Sequence, residues 1–313
     1  MKITLIAPGA LPCKGYGGTE RQVEWLAEEL MRLGHEVVVI AGHVKGPAPF
    51  ELRQALGDKR IRQAIPTDTQ IVHFHGAYLD IEQPTLNTMH TMGQSLAGDG
   101  RNWSFVSASH ARNHDRQTFV YNGFPVETYK LAPRKGDRLL FLAGVARANK
   151  NLNYAVDLAR KYDFDLDIAG GARWKLLTRG QVRRDLVFFK SLSPRYRFHG
   201  IVDGTEKLTL LGEARAFLNP IAWEEPFGMA PVEAMLCGTP VLATPRGAMP
   251  EIITPETGRL FETDEQFAAA LEAVSALSPA ECRNAAAAQF SITRTAFGYL
   301  DLYARILDGE LLP

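Results

Sequence analysis

A chain of 313 residues is about twice the usual single-domain length, so two domains are expected, each large enough to bury its own core. Lys plus Arg equals Asp plus Glu at 35 each, and a net charge of zero removes any whole-chain electrostatic argument for a nucleic-acid or anionic-membrane partner. Cys13, Cys237 and Cys282 are widely spaced and follow no metal-ligand pattern, which suits reduced thiols and argues against a disulfide framework.

Apolar runs of strand length alternate with segments of helical period along the whole chain, the signature of parallel sheets wrapped by helices. KITLIA is the first expected strand, and its apolar run meets Pro8 and Gly9 too soon for a signal peptide or a membrane span. No later run reaches spanning length, so a cytoplasmic protein is expected, with room for peripheral attachment to the inner membrane face. PGALPCKGYGGTERQ follows, where Gly15, Gly17 and Gly18 permit close approach of a ligand, and Thr19 with Gln22 matches a capping box. The turn is either an anion site at a helix start or a glycine loop without a ligand. It lacks the spacing of the nicotinamide fingerprint, and the second strand ends in IAGH where a ribose-binding acid would stand.

TERQVEWLAEELMRLG predicts a helix with Val23, Leu26, Ala27, Leu30 and Met31 on one stripe. EVVVIAG, QIVHFHG, WSFVSAS and TFVYNG are the further strands expected of the first domain. Between them, ELRQALGDKRIRQAI is either a solvated helix face or a contact for anionic lipid or a polar acceptor. His73 and His75 share a strand face, but two ligands do not complete a metal site, and the structural reading is preferred.

FPVETYKLAPRKGD breaks the alternation, placing the boundary at residue 132, with domains over 1–132 and 133–290. RLLFLAG, FDLDIAGG, RFHGIVD, RAFLNPI and PVLATP are the strands of a second α/β domain. ITRTAFGYLDLYARIL, within 291–313, is a terminal helix with Phe297, Leu300, Tyr303 and Leu307 in register, expected to return to the first domain. Two doubly wound domains with a cleft between them are the expected architecture.

Two loops carry chemistry. In LAGVARANKNLNYAV, Arg147 and Lys150 leave the end of a strand with Asn151 as a cap, and two cations there suit a diphosphate. In EEPFGMAPVEAMLCGTPVLAT, Glu225 ends a strand and Glu233 lies a turn inside the next helix. Pro231 falls in the first turn, with Gly228, Met229 and Ala230 at the helix start. A sugar nucleotide has diols at each end for carboxylates and a diphosphate between them for amides and cations, so it fits this pattern. The basic run RWKLLTRGQVRRDLVFFK serves either the donor side or plain surface.

EPFGMAPVEAMLCGTPVLAT, GYGGTERQVEWLAEELMRLGHEVVVIAG and RFHGIVDGTEKLTLLGEARAFLNPI together resemble the retaining family 4 glycosyltransferases of the two-Rossmann (GT-B) fold. The resemblance covers nearly the whole chain. It implies that Glu225 contacts hydroxyls of the donor sugar, that Phe227, Gly228, Met229 and Ala230 lie near sugar and phosphate, and that Glu233 binds the nucleotide ribose. It also implies that Lys150 binds the diphosphate, Gly17 and Gly18 close over it, and His90 in NTMHT is a catalytic cleft histidine. No metal or other cofactor is implied beyond the nucleotide-diphosphate sugar as co-substrate; the acceptor is a hydroxyl of unknown identity, and no nucleic acid is involved. The family usually has Arg directly after the glycine of LAGVARANK, where this chain has Val145, and Arg147 is expected to reach the same phosphate. The stretch from MHTMGQSLAGDG to WSF is short, leaving little acceptor-binding structure. A sugar-nucleotide epimerase, a phosphorylase-like enzyme and a catalytically silent sugar-nucleotide binder stay open as alternatives.

Overall fold

The computed structural model describes residues 1–313 apart from 14, 16, 77, 94, 99 and 179–185. The chain forms two compact units, Met1–Pro125 with Phe290–Pro313, and Val126–Gln289.

The first unit contains β1 (Lys2–Leu11), α1 (Gly18–Arg32), β2 (Glu36–Val44), β3 (Glu51–Gln54), α2 (Asp58–Ala64), β4 (Ile71–His75), β5 (Thr85–Met89), β6 (Trp103–Phe105) and α3 (Ala108–Arg112). Its sheet is parallel throughout, in the order β3-β2-β1-β4-β5-β6. The order reverses between β1 and β4, and ligands of open α/β sheets bind beyond the strand ends at such a point. All five residues of β4 are buried, as befits a central strand covered on both faces.

The second unit contains β7 (Leu139–Leu142), α4 (Leu152–Lys161), β8 (Leu166–Ala169), α5 (Val187–Lys190), β9 (Tyr196–Gly200), α6 (Gly204–Glu213), β10 (Ala216–Asn219) and α7 (Met229–Leu236). It continues with β11 (Val241–Ala243), α8 (Met249–Ile252), β12 (Gly258–Leu260), α9 (Asp264–Val274) and α10 (Pro279–Phe290). The sheet order β12-β11-β10-β7-β8-β9 repeats the topology of the first unit, with its reversal between β7 and β10. The two loops singled out for their chemistry leave these two strands.

The chain ends in α11 (Ile292–Leu307), a helix of the first unit. It packs on α1 and adds Ala296, Tyr299, Leu302, Tyr303 and Ile306 to the core around Ile3, Leu26 and Val39. Burial of each such large side chain is worth about 1.5–3 kcal/mol. The apolar face is not the one expected: Phe297 and Leu307 are exposed, while Tyr303 is fully buried. Packing against α1 and β5 buries a face containing Thr295 and Tyr299, which the aromatic spacing alone does not disclose.

Other differences are local. The unit boundary lies at Pro125 and not at residue 132, because Arg283 of the second unit bonds the carbonyls of Val126 and Tyr129. TFVYNG is not a strand: Phe119 makes one isolated bridge to Phe105. WSFVSAS stops as a strand at Phe105, since Ser107 caps α3 by accepting from the His110 amide at 3.0 Å. ELRQ, within a segment read as a helix face, and TLNTM, not named among the expected strands, are the strands β3 and β5, and TGRLF holds β12. These are short strands with polar residues, recruited by pairing to a neighbour rather than by their own pattern.

Candidate functional site

The glycine turn after β1 ends at Gly17, the N-cap of α1, and Gly18 is the first helical residue. Thr19 therefore lies inside the helix, and the expected capping box is absent because the helix starts two residues earlier. Gln22 instead exchanges two hydrogen bonds with the Gly123 backbone, at 2.9 and 3.0 Å. A Cβ on Gly17 would come within 2.7 Å of Cys13 Sγ, so close packing of the turn on the helix requires glycine. The turn is held by Glu24, which accepts from the Cys13 amide at 2.7 Å and whose carboxyl is pushed up by burial. The start of the helix and a carboxylate of its own thus share this end.

His90 follows β5. Its Nε2 lies 3.0 Å from His75 Nδ1, and burial lowers its pKa to about 3, so it is a neutral imidazole. His73 takes the structural role expected of it, fully buried between the Tyr303 hydroxyl and Thr88 Oγ1, both at 2.7 Å. Among the described residues no group of three His, Cys, Asp or Glu side chains is placed to hold a metal.

In the second unit the topology reversal brings the β7 and β10 loops together. Lys150 Nζ forms a close ion pair with Glu225 Oε2, which also accepts from Trp223 Nε1 at 3.0 Å. The ammonium lies 4.9 Å from the centre of the Trp223 ring, a cation–π contact. The loops are joined further by the Ala222 amide donating to the Asn149 carbonyl at 2.9 Å. Asn151 is the N-cap of α4, but in a left-handed conformation that leaves its side chain without a capping bond.

Glu225 is clamped from behind by a third loop. Gly247 has φ of 57° and packs so tightly that a Cβ there would lie 2.3 Å from the Glu225 backbone. The Gly247 amide donates to Glu224 Oε2 at 2.7 Å and the Ala248 amide to the Glu225 carbonyl at 2.9 Å. The Gly-Ala of TPRGAMPE was the only sequence signal for this contact.

α7 begins after Gly228, whose φ of 102° is a left-handed cap geometry. Phe227 and Gly228 are buried, whereas Met229 and Ala230 are partly exposed at the start of the helix. Glu233 is 3% exposed and lies a turn deeper, where its Oε1 accepts from Lys207 Nζ at 2.6 Å and from the Tyr129 hydroxyl at 3.2 Å. Sequence reasoning missed both partners. Lys207 sits in the run RFHGIVDGTEKLTLLGEARAFLNPI, where no residue was singled out, and Tyr129 in the stretch taken for a domain boundary.

Arg147 is exposed and lines a cavity of about 480 Å³ with Trp174 and Lys175. Lys175 is a further cation at the ends of β7 and β8 that the spacing of the loop did not reveal. Val145 is 1% exposed and belongs to the hydrophobic core, with Gly171 pressed against it. Its side chain is thus part of the core packing beneath the cavity that Arg147 and Lys175 line. Of the expected residues, Lys150 and Glu225 touch; Arg147 and Glu233 lie on adjoining loop and helix; Gly17, Gly18 and His90 belong to the first unit. Residues 179–185 of the basic run lie outside the described residues.

Residues 125–289 match the family described as Glycosyl transferases group 1. The chain belongs to this family. Among relatives of the group 1 chain is the lipopolysaccharide core biosynthesis mannosyltransferase LpsB of Rhizobium meliloti, 39% identical over 82 residues, which are 25% of this chain and 23% of that protein. Another is the phosphatidyl-myo-inositol mannosyltransferase of Mycobacterium tuberculosis, 30% identical over 157 residues, 46% of this chain and 39% of the relative. The matches thus span well under half of those relatives' lengths. The solved structure of AviGT4, a glycosyltransferase involved in avilamycin A biosynthesis, superposes with a TM-score of 0.85 at 24% identity, covering 100% of this chain and 99% of that one. Anabaena Alr3699/HepE in complex with UDP and glucose gives 0.70 at 15% identity, over 97% and 99%. At these identities the structures show the fold, and the two parallel six-stranded α/β units are those of GT-B glycosyltransferases.

Proposed function

We propose that this protein is a retaining glycosyltransferase that moves a sugar, a hexose by analogy with its mannosyltransferase relatives, from a nucleotide-diphosphate sugar to an acceptor hydroxyl without a metal. The observation that carries the reading is the Lys150–Glu225 pair at the topology reversal of the second unit, beside the start of α7, which also bears Glu233. Glu225 presents a carboxylate to donor-sugar hydroxyls. The donor diphosphate competes with Glu225 for the Lys150 ammonium, so donor binding exchanges one ion pair for another. The Met229 and Ala230 amides at the helix start, together with Arg147 and Lys175, supply the remaining positive field for a leaving diphosphate. Stabilising that charge with cations and amides is the main catalytic service such a site offers. Glu233, held by Lys207 and Tyr129, is oriented for the two ribose hydroxyls.

Retention follows from the acceptor attacking on the face the diphosphate leaves, with a phosphate oxygen taking the acceptor proton. HepE is a structure of the same fold in complex with UDP and glucose, which makes UDP-sugars the first donors to try, with GDP- and ADP-sugars beside them. The test is turnover of a panel of these donors, with anomeric configuration read by NMR and chelator added in parallel. The expected outcome is transfer with retained configuration in the presence of chelator. Inverted product, chelator-sensitive turnover, epimerisation, or tight nucleotide-sugar binding with no transfer across a broad acceptor panel would each overturn it.

A further inference from the structure

β4 and β5 run side by side with His75 opposite Thr88, which places His90 at the end of the next strand against His75. His75 Nδ1 and His90 Nε2 are 3.0 Å apart, with ring centres 5.2 Å apart and planes inclined by 29°. Burial keeps both rings neutral. Two neutral imidazoles joined nitrogen to nitrogen share one hydrogen, so one ring donates and the other accepts.

If His90 donated, His75 would be bare on Nδ1 and carry its own hydrogen on Nε2. That nitrogen is buried and has no hydrogen-bond partner among the described residues. His73, whose ring centre is 3.9 Å away, has both nitrogens engaged, with the Tyr303 hydroxyl and with Thr88 Oγ1. A buried N–H without an acceptor is the rarer and costlier orphan, whereas an acceptor without a donor is met more often. The reverse arrangement avoids that orphan: His75 donates from Nδ1, and only its Nε2 lone pair is left bare.

We infer that His75 is a positioning residue that locks His90 in its Nδ1–H tautomer, so that His90 meets a ligand as a hydrogen-bond donor and not as a base. With Nε2 turned inward to His75, Nδ1 is the remaining ring nitrogen of a side chain that keeps part of its surface open. A donor of this kind suits a hydroxyl or phosphate oxygen. Only the contact with ligand rests on the function proposed above; the tautomer itself does not.

The test uses the full chain labelled with ¹⁵N-histidine, and long-range ¹H–¹⁵N correlation spectra, which separate protonated from bare ring nitrogens. His90→Gln assigns the signals. The expected spectrum has a protonated Nδ1 and a bare Nε2 on His90. His75→Asn, whose amide can donate from the place of Nδ1, should preserve that pattern, and His75→Leu should shift His90 toward the Nε2–H form. In a transfer assay, loss of the hydrogen bond in His75→Leu should lower kcat/KM about 10-fold, with His75→Asn recovering most of it. A protonated Nε2 on His90 in the unaltered chain, or a His75→Leu spectrum unchanged from it, would overturn the lock. Where His75→Leu does not fold by circular dichroism, the spectra of the unaltered and His75→Asn chains decide the tautomer. A confirmed tautomer with transfer indifferent to His75→Leu would overturn the ligand contact alone.

Discussion

At Glu225 and Lys150, two mostly buried charges satisfy each other, with side-chain exposures of 14% and 17%. The Trp223 indole completes the group. Glu225→Gln keeps a polar group for the Trp223 N–H and removes the charge that competes with diphosphate for Lys150. It is expected to hold nucleotide diphosphate at least as well as the parent chain while losing about 100-fold or more in transfer rate. Calorimetry with UDP beside single-turnover assays checks this, and a matching fall in nucleotide affinity would refute the division of roles. Lys150→Ala should weaken diphosphate binding by about one to two powers of ten, the worth of one charge-assisted hydrogen bond. Arg147→Ala should cost less, because Lys175 lines the same cavity, and the double change Arg147→Ala with Lys175→Ala should exceed either alone. Glu233 behaves differently again. Its removal strands Lys207, whose side chain is 11% exposed, so Glu233→Ala should lower stability by about 3–5 kcal/mol in addition to weakening nucleotide binding. Glu233→Leu combined with Lys207→Met should recover much of the melting temperature and none of the binding, which thermal unfolding with and without UDP would show.

Among the elements, the segment from Thr244 to α8 decides where Glu225 stands. Gly247→Ala would place a methyl group within 2.3 Å of the Glu225 backbone in a left-handed conformation that alanine disfavours. The expected result is a transfer defect approaching that of Glu225→Gln, although residue 247 bears no functional side chain; normal kinetics in Gly247→Ala would show that the clamp does not set the site. α11 is the other decisive element. It contributes Tyr299 and Tyr303 to the core of a unit otherwise built from residues 1–125, so a chain ending at residue 291 should lose the first unit's cooperative unfolding transition. Tyr303→Phe leaves the packing and removes the partner of His73 Nδ1, for an expected loss of about 1 kcal/mol in urea unfolding.

On the scale of the whole molecule, the histidines make stability depend on pH. His73 and His75 are held well below the ordinary value, His90 at about 3 and His110 at about 4, in each case chiefly by burial. All four belong to the first unit. Their folded-state values lie below those of the unfolded chain, so between the two the unfolded chain binds more protons. Stability therefore falls as pH drops below the unfolded value of about 6.5, by about 1.4 kcal/mol per pH unit for each histidine that stays neutral in the fold. The fall should continue to about pH 4, where His110 begins to take its proton in the folded state. Unfolding of the first unit should accordingly move to lower temperature between pH 6.5 and 4. His110→Phe should flatten the slope, and a slope unchanged in that variant would refute the assignment.

The architecture was legible in the residues themselves, because strand-length apolar runs and helical stripes are local properties, and so was the place of the candidate residues Glu225, Glu233 and Lys150 at strand-to-helix junctions. Short polar strands such as ELRQ and TLNTM were not, since pairing with a neighbour, and not their own composition, makes them strands. The buried face of α11 was misread for the same reason: it is set by what lies opposite, in segments far away in sequence. Side-chain pairing was beyond local reading altogether. Lys150 and Glu225 are 75 residues apart, and Tyr129 and Glu233 are 104 apart. The parallel sheet brings such residues together only once its strand order is established. The sequence by itself determined the two-domain α/β architecture and on which loops the acids and cations stand; tertiary structure alone decided which charges neutralise each other, that Val145 is core, and which nitrogen of His90 faces His75, because burial and long-range contact exist only in the folded chain.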